Sequence, residues 1–132
     1  MEDCLFCKIV SGEIPCEKVW EDEKAFAFLD INPVVDGHIL LIPKEHHKNM
    51  EETPDELVSK LFRDAKMLMP KIRESMAADY IAISVVGTDV PHFHIHLVPR
   101  KFDDGLAETW PTKKYPDGES VKIGNKIKEA FD

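Results

Sequence analysis

Three histidines alternate with large apolar residues in the stretch His92-Phe93-His94-Ile95-His96-Leu97-Val98. In an extended strand successive side chains point to opposite faces, so His92, His94 and His96 share one face while Phe93, Ile95 and Leu97 share the other. Same-face neighbours then stand about 6.5–7 Å apart, whereas a helix would spread the imidazoles over about 200°. A merely solvated face would favour Lys, Glu and Thr over a row of histidines. Neutral imidazole is a nucleophile, a general base or a metal ligand, and its ordinary pKa of about 6.5 lets it exchange those roles near neutrality. One of three aligned imidazoles can attack while its neighbours hydrogen-bond a leaving group or a phosphate oxygen. A covalent step of that kind splits one difficult displacement into two easier ones. A catalytic metal on the row would want a carboxylate at the next same-face position, where this chain has Val98.

A second group with chemical potential is Cys4-x-x-Cys7. Its bite suits two thiolates of a tetrahedral zinc site, with bonds of about 2.3 Å; two reduced, packed cysteines are the alternative. The chain has three cysteines, an odd number that fits a metal site better than a disulfide framework, and Cys16 is read as a free core thiol.

The elements that must position these residues follow from patterning. At 132 residues, 43% hydrophobic and 32% charged, the chain fits one soluble domain, with a core over about residues 4–100 and a tail over 101–132. The net charge of −8 gives no electrostatic footprint for nucleic acid or anionic membranes. No apolar run is long enough to span a bilayer and the acidic N-terminus lacks a signal peptide's features, so a cytoplasmic location is expected. Residues 4–14 read as a short helix or turn stopped by Pro15. Residues 17–21 and 24–30 read as a hairpin turning at Asp22-Glu23. His38-Ile39-Leu40-Leu41-Ile42, entered through Asp36-Gly37, reads as an interior strand covered on both faces. Thr53-Pro54-Asp55-Glu56 has the form of a capped helix start, with Thr53 as cap. The stripe Leu57, Leu61, Ala65, Leu68, Ile72 and Met76 carries that helix to about residue 77, through a Pro70 expected to kink it. Residues 80–86 and 92–98 read as two more strands, and Ile123, Ile127 and Phe131 as a short C-terminal helix. The fold class is therefore α+β: an antiparallel sheet of about five strands, one face covered by the long helix and by Phe93, Ile95 and Leu97, with the histidines facing the other way.

At this point the residues resemble a family. His92-Phe93-His94-Ile95-His96-Leu97-Val98 is similar to the signature of the histidine-triad (HIT) superfamily, His-φ-His-φ-His-φ-φ with φ apolar. Cys4-Leu5-Phe6-Cys7-Lys8-Ile9, Gly12-Glu13-Ile14-Pro15, Phe28-Leu29-Asp30-Ile31 and Gly37-His38-Ile39-Leu40-Leu41-Ile42-Pro43-Lys44 fall in the family's order and spacing. Together they cover residues 4 to about 100 and resemble the Hint-like branch with a zinc-binding Cys-x-x-Cys. That resemblance implies a HIT-like fold and a nucleotide hydrolase. The enzyme would act at the α-phosphorus of a nucleoside phosphoramidate or dinucleoside polyphosphate through a nucleotidyl-histidine intermediate. In the family's transferase branch a Gln stands where this chain has His96, so hydrolysis is implied over transfer.

Carried over by position, His94 resembles the nucleophile, His96 the group that protonates the departing amine or phosphate, and His38 the residue that holds the cluster in its working tautomers; His92 completes the catalytic set. Asp30 resembles the acceptor for the ribose hydroxyls, and Ile31, Phe6, Ile9 and Ile14 the apolar walls of a purine slot, with plain core packing the other reading of those four. Backbone N–H groups around Val90 and His92 are candidates for binding the phosphate oxygens. The resemblance further implies one structural Zn2+ per chain on Cys4, Cys7, His46 and His92, with His47 pointing elsewhere. If His92 holds zinc, the catalytic set reduces to His38, His94 and His96.

The chain departs from the family's pattern just before the triad. Where Gly-Gln-Ser or Gly-Gln-Thr is common, a shorter loop carries Gly87-Thr88-Asp89, so Asp89 stands at the substrate site. A carboxylate beside an anionic phosphate is repulsive unless it is protonated, paired or turned away. Two further readings follow: a zinc-stabilised purine-nucleotide binding or sensing module with little turnover, and a scaffold acting through its dimer surface. The resemblance also implies a homodimer. Trp110-Pro111 resembles a Trp-Pro that reaches toward the partner's site, although a tail this long can instead fold back so that Ile123, Ile127 and Phe131 cover the sheet.

Overall fold

The computed structural model describes residues 3–107 and 110–131. The hairpin forms where the sequence places it. Strand β1 (Lys18–Glu21) pairs antiparallel with β2 (Ala25–Leu29), and Asp22 Oδ1 closes the turn by accepting from the N–H groups of Lys24 and Ala25 at 2.9 and 2.8 Å. β2 pairs with β3 (Ile39–Pro43), β3 with β5 (Ile95–Arg100), and β5 with β4 (Tyr80–Ser84), all antiparallel, in the order β1-β2-β3-β5-β4. Helices α1 (Leu5–Ser11), α2 (Asp55–Ser75) and α3 (Glu119–Glu129) complete the chain.

The continuous apolar run of β3 is covered on both faces, as expected of an interior strand. Ile39 and Leu41 pack with Ala25, Ala27, Ile95, Leu97 and Phe93 against the α2 stripe of Leu61, Ala65, Leu68 and Ile72. Leu40 and Ile42 turn the other way and pack with Phe26, Phe28 and the α1 residues Phe6 and Ile9. Leu41, Ile42, Ile95 and Leu97 are fully buried, each worth about 1.5–3 kcal/mol of transfer free energy. Because Leu40 is the register partner of His96, the two side chains share the α1 face of the sheet. Among the described residues no helix is long and apolar enough to cross a membrane.

Several boundaries differ from the sequence reading. The histidine segment is not strand throughout: the ladder begins at Ile95, so His92, in a bend, and His94 lie in the approach to β5, where the N–H of Phe93 donates to the carbonyl of His47 at 2.7 Å. The alternation survives, with Phe93 in the α2-side core. Thr53 does not cap α2. Its hydroxyl donates to the carbonyl of Asn49 at 2.8 Å, and the N-cap is Pro54, whose carbonyl accepts from Val58 at 3.0 Å. The helix runs on through Pro70 to Ser75. Finally, α3 has no buried residue, and Ile123, Ile127 and Phe131 are exposed. They do not cover the sheet.

Candidate functional site

The α1 face of β3 and β5 carries two adjoining groups of side chains, divided between His92 and His94. On one side, α1 delivers the cysteines. Cys4 is its N-cap, with Sγ accepting from the Cys7 N–H at 3.3 Å, so the cap itself brings the two sulfurs together. The loop after β3 delivers His46, and the approach to β5 delivers His92. Cys4 Sγ lies 3.3 Å from His92 Nδ1, Cys7 Sγ lies 3.3 Å from His46 Nδ1 and 3.5 Å from His92 Nδ1, and the two Nδ1 atoms are 3.3 Å apart. All four ligand atoms lie within 4.8 Å of one another. A tetrahedron with zinc bonds of 2.0–2.1 Å to nitrogen and 2.3 Å to sulfur has edges of about 3.4 Å (N···N) and about 3.6 Å (N···S). The four residues therefore fit such an ion in ligand type and in spacing. His47 stands outside the group, its Nε2 2.7 Å from Glu45 Oε1.

His92 Nε2 donates to the carbonyl of Pro43 at 2.8 Å. A carbonyl can only accept, so the proton sits on Nε2 and Nδ1 presents a lone pair to the cysteines, an outer hydrogen bond that orients a ligating imidazole. Burial holds the His92 imidazole down to about 4, with His46, His94 and His47 acting in the same direction against the Pro43 carbonyl. Burial and the neighbouring Cys4 push the Cys7 thiol up to about 11. A divalent cation reverses the cysteine preference by replacing the thiol protons.

On the other side a chain of hydrogen bonds sets the tautomers of the remaining histidines. The Val34 N–H donates to His38 Nδ1 at 3.1 Å, so the His38 proton is on Nε2. His38 Nε2 then donates to His96 Nδ1 at 2.9 Å, leaving the His96 proton on its own Nε2. His94 has the opposite arrangement: Nδ1 donates to the carbonyl of His92 at 2.7 Å, which leaves a lone pair on Nε2. The His94 and His96 rings are 5.1 Å apart. Beside a bare nucleophilic nitrogen thus stands a nitrogen carrying a transferable proton. Burial lowers the pKa of His38, opposed by Asp30, and also that of His96, helped by His94 and His38 and opposed by Asp30 and Asp89. Both are therefore neutral at neutral pH, as the hydrogen-bond chain requires. Phe6 supports the row from beneath, edge-on to His92 and His94 with centroids 5.9 and 5.1 Å away.

The other candidate residues take varied positions. Asp30 Oδ2 lies 3.7 Å from His38 Nε2, and its Oδ1 accepts from the Asn32 N–H at 2.9 Å. Ile31 is 82% exposed, Ile14 is half-buried, and Phe6 and Ile9 belong to the core under the histidines. The His92 N–H is not available to a phosphate oxygen, because it donates to the Val90 carbonyl at 2.8 Å. Asp89 Oδ1 lies 3.3 Å from His94 Nε2, outside hydrogen-bonding geometry. Two functional groups escape sequence reasoning, the Pro43 carbonyl and the Val34 N–H, since backbone atoms leave no mark in residue type. A separate groove of about 1120 Å3, lined in part by Lys24, Lys44, Lys60 and Arg63, lies between the hairpin turn and the start of α2 and includes no histidine.

Comparison with known proteins agrees with this geometry. The chain is 34% identical over 138 residues to the adenosine 5'-monophosphoramidase HNT1 of Candida albicans, covering 97% of this chain and 91% of that one. The fold matches the crystal structure of SMU.412c from Streptococcus mutans with a TM-score of 0.88 at 36% identity, over 100% of this chain and 87% of that one. A Zn-bound histidine triad family protein from Mycobacterium smegmatis matches with a TM-score of 0.77 at 30% identity, over 99% of both chains. The family model for the HIT domain matches residues 11–103, and the chain belongs to that family.

Proposed function

We propose that the protein is a nucleotide hydrolase that cleaves at the α-phosphorus of a nucleoside phosphoramidate or dinucleoside polyphosphate and releases a nucleoside monophosphate. The observation that carries this reading is the opposed tautomers of His94 and His96, a bare Nε2 beside a protonated one. In the first step His94 Nε2 forms a bond to the α-phosphorus, the phosphorus bond to the leaving group breaks, and His96 Nε2–H gives its proton to the departing amine or phosphate. In the second step water attacks the nucleotidyl-histidine, its proton passes to His96, and the phosphorus–nitrogen bond breaks to restore His94. His38 positions His96 through the 2.9 Å hydrogen bond. Asp30 is offered as acceptor for the ribose hydroxyls, with Ile31 and Ile14 as the apolar surface for a purine. The similarity to an adenosine 5'-monophosphoramidase supports the phosphoramidate class.

Cys4, Cys7, His46 and His92 would hold one structural zinc per chain. The ion would stiffen the junction of α1, β3 and β5 and take His92 out of the chemistry. We further propose a homodimer formed through the β4 edge. The decisive test of the hydrolase is His94→Ala, assayed on an adenosine phosphoramidate and a diadenosine polyphosphate. Turnover should vanish while nucleotide binding persists, and the unmodified protein, quenched in alkali during turnover, should carry a nucleotidyl adduct on His94. Wild-type kcat in His94→Ala would refute the mechanism. A second reading, a nucleotide-binding module with little turnover, is favoured by the carboxylate of Asp89 beside the nucleophile. Equilibrium nucleotide binding with neither turnover nor adduct would select it.

A further inference from the structure

Asp89 occupies a position that a phosphate would be expected to avoid. Its Oδ1 lies 3.3 Å from Nε2 of His94, the atom that must meet phosphorus. The two groups are not tied together, because their geometry falls outside that of a hydrogen bond and His94 Nε2 has no hydrogen-bond partner among the described residues. The imidazole is 1% exposed and the carboxylate side chain 67%, so the Asp89 carboxylate lies on the solvent side of the nucleophile, 3.3 Å from it. Among the described residues no lysine or arginine comes within ion-pair distance of the Asp89 carboxylate. The backbone N–H groups of Val90 and Asp89 and the nearby His94 and His96 outweigh its partial desolvation and keep its pKa below the ordinary value. It is a full negative charge at neutral pH.

A phosphorus positioned for attack lies about 3–3.5 Å from the nucleophile. An in-line leaving atom then falls roughly 5 Å from Nε2, and both lie within about one Debye length of the carboxylate. Unit charges at such separations, near a protein surface, change an equilibrium by about one to two orders of magnitude. Every negative charge on the leaving group is therefore penalised and a positive one favoured. A phosphoramidate brings a single charge at the α-phosphoryl group and none on its amine, whereas a polyphosphate adds one or more on the side that departs.

We propose that Asp89 is a specificity-determining residue that directs the site toward nucleotidyl amines, above all those whose amine carries an ammonium substituent, and away from polyphosphates. The proposal rests on the hydrolase reading above and names the substrate class of that same site.

The test uses the full-length protein and three substrates: adenosine 5'-phosphoramidates of propylamine and of 3-ammoniopropylamine, and a diadenosine polyphosphate. The unmodified protein should rank kcat/KM as ammonium-bearing, then neutral, then polyphosphate. Asp89→Asn should compress the span between the extremes by at least about tenfold, and Asp89→Glu should retain the order. Raising the salt concentration should narrow the span in the unmodified protein only. A span that Asp89→Asn leaves within about twofold of the original overturns the specificity role and leaves the hydrolase intact. Failure of the unmodified protein to turn over any of the three overturns both.

Discussion

The carbonyl of Pro43 and Nε2 of His92 are joined by a 2.8 Å hydrogen bond, and this contact divides the histidine triad in two. With its proton fixed on Nε2, His92 turns Nδ1 to Cys4, Cys7 and His46, while His94 and His96 face the site where a nucleotide would react. The four clustered candidate ligands and the His94–His96 pair are thus adjacent parts of one segment, separated by the tautomer of a single residue. The backbone carbonyl of His92 also accepts from His94 Nδ1, so anything that fixes His92 also orients the His94 imidazole.

Zinc is the first consequence to measure. Purified protein should contain one zinc per chain, and a strong chelator or Cys4→Ser should lower Tm, because binding free energy in such a site is folding free energy. A loss of about 3 kcal/mol in a domain of this size corresponds to a shift on the order of 10 °C. Metal analysis giving no zinc, together with a thermally silent Cys4→Ser, would rule the site out.

The hydrogen-bond chain from Val34 through His38 to His96 predicts a kinetic signature. His38→Ala removes the donor that leaves the His96 proton on Nε2, so kcat should fall by about 10–100-fold with KM little changed. The loss should grow with the basicity of the leaving group, since a poor leaving group depends most on the proton. Equal losses for good and poor leaving groups would show that His38 acts on structure alone.

How much of this was legible in the sequence depends on which atoms carry the information. The sheet, the long helix and the shared face of the histidines follow from side-chain periodicity, and the structure reproduces them even where the segment at His92 and His94 is not hydrogen-bonded as strand. The four clustered residues Cys4, Cys7, His46 and His92 could be named through the family resemblance, because they come from three separate stretches that spacing alone does not join. The tautomers could not be read at all, since they are set by the Pro43 carbonyl and the Val34 N–H. The failed Thr53 cap has a similar origin: the hydroxyl found a nearer acceptor in the Asn49 carbonyl, a local competition that motif matching does not weigh.

Stability should fall on mild acidification, with a sign set by the lowered pKa values of His38 and His96. Both imidazoles are neutral in the fold, so below about 6.5 the unfolded chain binds protons first. Their contribution is complete above that pH and is lost as pH falls through the lowered folded values. The carboxylate Glu21, held down to about 2 by Lys18 and Lys44, adds its own loss only below about 4.5. Between those limits, Tm should drop less in His38→Gln than in the unmodified protein, zinc being saturating in both. Parallel Tm curves would show that His38 does not titrate on unfolding.

The two sheet edges differ, and the difference predicts how the chain assembles. β1 is blunted by a register irregularity between Lys18 and Trp20 and by its terminal Lys18 and Glu21, devices that discourage edge-to-edge pairing. β4 has neither: Tyr80-Ile81-Ala82-Ile83-Ser84 carries no charge and keeps regular register with β5. Its outer edge pairs with no strand among the described residues, and Ile83, Val86 and the α2 residue Met67 are exposed. A second copy meeting β4 about a two-fold axis would satisfy the open backbone groups and cover those apolar side chains at once. Sedimentation at micromolar concentration should therefore give a species of twice 15.1 kDa, and Ile83→Lys should shift it toward the monomer. A 15.1 kDa species for the unmodified protein would refute the dimer. Trp110 is 79% exposed, and Trp110→Ala tests whether it reaches the partner's site. Loss of substrate preference without loss of the dimer would assign it that role, and unchanged preference would exclude it.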